Sequence, residues 1–187
     1  MPHKWDKVAS VSTGVMLSHP EHAKHYADVI ASWAFVEQNL AHFFAYLAGL
    51  EEVDAQPLLG TNNRHLSGVG LLTFHEIESF RTKLELLDAI IKWRTPSLHA
   101  EFADPKTGVT KQLRSAANAR HAMAHGVWGT SIEAPDKLIL MPIFGNYLAY
   151  GVGCFKAEAR KILDANAAFL TFQSKVEKLI GTRAPAP

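Results

Sequence analysis

Residues 29–47 read VIASWAFVEQNLAHFFAYL, and their apolar rhythm decides the fold class. Val29, Trp33, Val36, Leu40, Phe43 and Leu47 recur at alternating steps of four and three, the spacing that lays side chains along one stripe of an α-helix. This predicts a long helix over 22–48, with Pro20 in SHPEH suited to its first turn and Gly49 to its stop. Further along, Ile77, Phe80, Leu84, Leu87 and Ile91 repeat the rhythm and predict a second long helix ending near Trp93. The stretch between them, QPLLGTNNRHLSGVG (56–70), reads as a connection, with one short helical turn over 53–59. Thr95-Pro96 reads as a cap and first-turn proline opening a short helix that stops before DPKTG.

A third long helix is expected from an N-cap at Thr110 to a C-terminal glycine at Gly126. After it the period changes: VWGTSI and LILMPI flank EAPDK, which predicts one small hairpin. Phe155, Ala159, Ile162, Phe169, Val176 and Ile180 then predict a last long helix from Cys154 to Ile180. The expected fold is mainly α, a helical bundle of four long helices plus short helices with one β-hairpin after the third. Residues 1–21 read as an N-terminal extension, 22–180 as a single helical domain and 181–187 as a disordered tail.

Composition narrows the function classes. At 187 residues and 48% hydrophobic content the chain supports one substantial core. Nineteen Lys and Arg against 18 Asp and Glu leave no global positive field to gather nucleic acid, so such a partner needs a local patch. The single cysteine, Cys154, excludes an internal disulfide and fits a reducing cytoplasm. No apolar run approaches the ~18–20 residues that cross a bilayer, and no signal peptide is read at the start.

Chemistry concentrates in NARHAMAHGVWG, residues 118–129. At about 100° per residue, Arg114, Asn118, His121 and His125 form one polar stripe, and Arg120 lies about 140° round from His125. Alanines at 116, 117, 119, 122 and 124 allow close approach of another helix. The plain reading leaves Arg114 and Asn118 solvated, packs His121 at an edge and makes His125 a cap on the final carbonyls. His121 and His125 also have the spacing of two metal ligands on a helix, but Ala122 stands where a zinc protease carries glutamate. No glutamate has a histidine three residues later, as a di-iron bundle would require. No metal and no cofactor are therefore expected.

Arg-His-Ala-Met-Ala-His-Gly, residues 120–126, resembles the signature of the HEPN family (higher eukaryotes and prokaryotes nucleotide-binding): Arg, a polar residue, about three residues, then His, often followed by Gly. His121 fills the polar slot. HEPN-like proteins are small helical bundles with this motif at the end of the third main helix, the order read here over most of 22–180. The resemblance implies a homodimer through the motif helix and an RNA or nucleotide partner. It also implies either a metal-independent endoribonuclease, in some members a toxin paired with an antitoxin, or a noncatalytic binding or regulatory module. In the first case Arg120 and His125 are the catalytic pair, and Asn118, His121, Arg114 and Trp128 bind or position substrate.

Other residues have plainer roles as well as sharper ones. Trp128 could stack on a base, or anchor the hairpin in the core. Glu37 on an apolar flank could orient a site residue, or form a rim salt bridge. Tyr147 and Tyr150 could line a cleft or simply pack. Arg64, Arg81 and Lys83 could extend a backbone-binding surface, or be plain solvated charges, and His19, His22 and His25, three apart, could bind a transition metal adventitiously, or form a solvated helix start.

Overall fold

The apolar stripe of residues 29–47 is buried along its whole length, in a helix that runs from Pro20 to Leu47. The computed structural model describes residues 1–11, 14–48, 68–142 and 145–181. In chain order these form β1 (His3–Trp5), β2 (Ser10–Val11), α1 (Pro20–Leu47), α2 (Gly68–Glu76), α3 (Phe80–Arg94), α4 (Pro96–Ala103), α5 (Val109–His125), β3 (Val127–Thr130), β4 (Leu138–Met141), β5 (Tyr147–Tyr150) and α6 (Val152–Gly181). The fold is mainly helical, with a small antiparallel sheet. No helix among the described residues is long and apolar enough to cross a membrane.

Several boundaries differ from expectation for local reasons. Ile77 lies in the break between α2 and α3, because Ser79 caps α3 by accepting the Thr82 N–H at 3.3 Å. Gly68 and Gly70, read as loop, belong to α2. The turn expected over 53–59 and the tail over 182–187 lie outside the described residues. Thr110 is inside α5 rather than capping it, and its hydroxyl donates to the Phe102 carbonyl at 3.0 Å.

The expected hairpin is larger than the sequence suggests. β3 and β4 pair with Val127 opposite Met141, but they are the centre of a five-stranded sheet ordered β1-β5-β4-β3-β2. Residues 1–21, read as an extension, supply both edges: Lys4 pairs with Leu148 on one side and Val11 with Gly129 on the other. Four residues separate β1 from β2, and the five chain steps from Trp5 to Ser10 reach at most about 18 Å. Across a flat sheet four strand spacings alone come to about 19 Å. The sheet must therefore curl, with residues 6–9 as a strap between its edges. Ser131 Oγ donates to the Val8 carbonyl at 2.8 Å and Lys7 pairs with Glu133, fastening the strap to the end of β3.

Contacts divide the chain into two units, Met1–Phe35 with Ser115–Ala165 and Val36–Arg114 with Asn166–Pro187. The first holds the sheet, and its core includes Met123, Leu138, Ile139, Leu140, Tyr150, Phe155 and Ile162. The second is helical and packed around phenylalanines. Phe43 meets Phe169 edge-on at 5.4 Å, Phe102 stacks on Phe172 at 5.2 Å and Phe44 on Phe74 at 5.1 Å. In this second unit Arg94 donates to the Leu47 carbonyl, satisfying an acceptor left open by the end of α1.

Candidate functional site

α5 ends where the chain has to become a strand, and Gly126 permits the change. Its N–H bonds the Ala122 carbonyl at 3.0 Å, closing the last turn. Among the described glycines only Gly14 and Gly145 have positive φ, so Gly126 is not a left-handed cap. It is glycine for room: a Cβ there would collide with Leu140 of β4 and sit 2.8 Å from the Ala122 carbonyl oxygen. This close approach fixes the end of α5 against the sheet, and the last helical residue is His125.

His121 and His125 are both exposed, and their ring centroids are 4.5 Å apart with planes tilted by 46°. No hydrogen bond or ion pair to another described residue holds either ring. Asn118, one turn earlier on the same unit, is also exposed. Arg120 is half-buried, and its Nε is enclosed with no hydrogen-bond partner among the described residues. An enclosed, unsatisfied N–H costs about 1–3 kcal/mol, and the cost is relieved when an acceptor arrives. From Pro105 to Ile132 the chain carries no Asp or Glu, while Lys106, Lys111, Arg114 and Arg120 fall within it. This local excess of positive charge is hidden in the near-neutral total.

The remaining expected residues are placed elsewhere. Arg114 belongs to the second unit, where it lines a surface cavity of about 240 Å³ with Leu84, Glu85, Asp88, Ala103 and Thr110. Trp128 is half-buried in an aromatic cluster, its ring against Tyr150 at 5.3 Å, Phe155 at 5.4 Å and Tyr26 at 6.1 Å. Its indole N–H donates to the Met123 carbonyl at 3.1 Å, so the hydrogen-bonding edge of the ring is already used. Tyr150 is buried in this cluster, which with Glu158 and Cys154 nearby pushes its phenol up to about 12. Tyr147 remains largely exposed on β5. Ala116 is fully buried within the chain, whereas Ala117, Ala119, Ala122 and Ala124 are partly covered.

Two groups read as solvated are not. Lys83 is buried, its ammonium 3.8 Å from Glu37 and 5.4 Å from the centre of the Phe74 ring, so the Glu37 carboxylate serves a salt bridge. Arg81 is exposed and pairs with Glu85 at 2.7 Å, while Arg64 lies outside the described residues. His22 is only 7% exposed, with an enclosed, unpartnered Nε2 and its ring edge-on to Phe155 at 5.9 Å. His19 beside it reaches the Pro135 carbonyl at 3.4 Å, and His25 pairs with Asp28 at 3.0 Å. Burial lowers the His22 pKa, and repulsion from His19 adds to it, against the opposing pull of Asp136. Comparison with protein-family models, curated proteins and solved structures finds no match.

Proposed function

We propose that the C-terminal end of α5 is the reaction site of a HEPN-like, metal-independent endoribonuclease that acts as a homodimer, of the kind paired with an antitoxin. On this reading α1, α3, α5 and α6 are the four long helices of the bundle. The observation that carries it is the pair of exposed imidazoles, 4.5 Å apart and without other partners among the described residues, directly after an arginine whose Nε–H finds no acceptor among them. Metal-free RNA cleavage needs groups of this kind: a base, an acid and a fixed positive charge.

In the proposed reaction neutral His125 takes the proton of a ribose 2′-hydroxyl as the 2′-oxygen bonds to phosphorus. The bond from phosphorus to the 5′-oxygen breaks, and the protonated His125 of the second copy gives that oxygen its proton. The products are a 2′,3′-cyclic phosphate and a 5′-hydroxyl. Arg120 donates to the phosphate oxygens as negative charge builds, which would satisfy its enclosed Nε–H. His121 and Asn118 position the substrate. Because Ala116 is already covered within the chain, the second copy is expected to approach the exposed flank of α5 carrying these polar groups.

The test is incubation of the purified full chain with total RNA, with and without a chelator. Cleavage that survives the chelator and leaves cyclic phosphate ends supports the proposal. Binding without cleavage would instead make the protein a noncatalytic RNA-binding module, and neither would remove the reading altogether.

A further inference from the structure

The ring geometry of His121 and His125 has a second chemical meaning. An imidazole nitrogen sits about 1.1 Å from its ring centre, and a bound transition metal lies about 2.0–2.1 Å beyond it, so each ring centre stands about 3.2 Å from a shared ion. An ion drawing one nitrogen from each ring at the present 4.5 Å separation of the ring centres would see them at about 90°. Tetrahedral coordination would call for ring centres about 5.2 Å apart by the same construction. A right angle is the cis angle of square-planar and tetragonal sites, the geometry of copper(II) and nickel(II) rather than of structural zinc.

We propose that His121 and His125 form a two-imidazole site for a divalent transition-metal ion of the copper(II) class. Both rings are exposed and held by no other described residue, so the ion displaces no existing bond. The site lies at the C-terminal end of α5, where the open carbonyls favour a cation. No group of three or more His, Cys, Asp or Glu suited to a metal exists among the described residues, so water or an incoming ligand fills the other positions. Such an ion is not a structural cofactor. It occupies a nitrogen of His125, which moves protons in the proposed cleavage, and one of His121, which positions substrate there, and this makes it an inhibitor of that reaction. This consequence rests on the ribonuclease reading, whereas the metal site rests on the spacing and exposure of the two rings.

The experiment is titration of the chelator-treated full chain with copper(II) at pH 7.5, followed by electron paramagnetic resonance. The expected result is a tetragonal signal with two imidazole nitrogens bound, and affinity at least tenfold weaker in both His121→Ala and His125→Ala. His25→Ala, at the other histidine-rich stretch, should leave the signal unchanged. Equal affinity in parent and both site variants, or loss of the signal with His25→Ala, would overturn the site. These readouts use protein and metal without RNA, so absence of cleavage would refute the ribonuclease and leave the metal site standing.

Discussion

At the scale of single residues, His22 and Gly126 show how little tolerance this chain has at particular points. His22 is held neutral by burial against Phe155, so the unfolded chain takes up its proton more readily than the folded one. The stability this contributes is fully present above the ordinary histidine value of about 6.5 and is lost as pH falls from there through the lowered value of the folded protein. His19, His25 and Asp136 are the charged or titratable groups that act on it. The midpoint of thermal unfolding should drop between pH 7.5 and pH 5.5, and the drop should be smaller in His22→Phe, which keeps an aromatic ring but has no proton to gain. An equal drop in both proteins would assign the sensitivity elsewhere. Gly126→Ala should destabilise by about 1–3 kcal/mol, the range for forcing atoms into a packed site, because its Cβ has Leu140 in the way. Denaturant unfolding measures this directly, and a variant as stable as the parent would mean that β4 yields at no cost.

At the scale of elements, the N-terminal strap carries the clearest prediction. β1 and β2 cover the two outer edges of β5 and β3, and unpaired edges exchange their amides quickly and invite association. Removing residues 1–11 should speed hydrogen exchange in β3 and β5 while α3 and α4 keep their protection. Unchanged exchange in both strands would mean that the strap holds nothing. The helices are legible in the sequence because each carries several turns of a 3.6-residue pattern, as in Val29 through Leu47. The sheet is not, since HKW, SV and YLAY are too short for any period to register and their pairings are long-range. The burial of His22 does leave a signal in the sequence, one that its reading as a solvated helix start passes over. Continuing the buried stripe of α1 backward by three and four residues from Val29 reaches Tyr26 and His22, so spacing alone sets His22 on the apolar side. The buried lysine is illegible for another reason: Lys83 owes its environment to Phe74 and Glu37 on other helices, and no local pattern reports such a meeting. At the candidate site, the spacing of His121 and His125 puts both rings on one face, but the aromatic surroundings of Trp128 and the enclosure of the Arg120 Nε depend on packing.

At the scale of the whole molecule, the proposed chemistry needs two copies, because one His125 cannot serve as base and acid in the same step. Sedimentation should therefore find a dimer at micromolar concentration, and a monomer under those conditions would remove the second proton donor. The site itself is tested most directly by RNA cleavage in the presence of chelator, comparing the parent with Arg120→Ala and His125→Ala at equal helicity. The parent should show a bell-shaped pH profile and leave 2′,3′-cyclic phosphate ends. Each variant should lose at least about 10²-fold in rate, as expected for an acid–base or charge-stabilising group, with a milder loss in His121→Asn. Parent-like cleavage by a folded His125→Ala protein would contradict the proposed chemistry and leave His125 as the polar end of a helix.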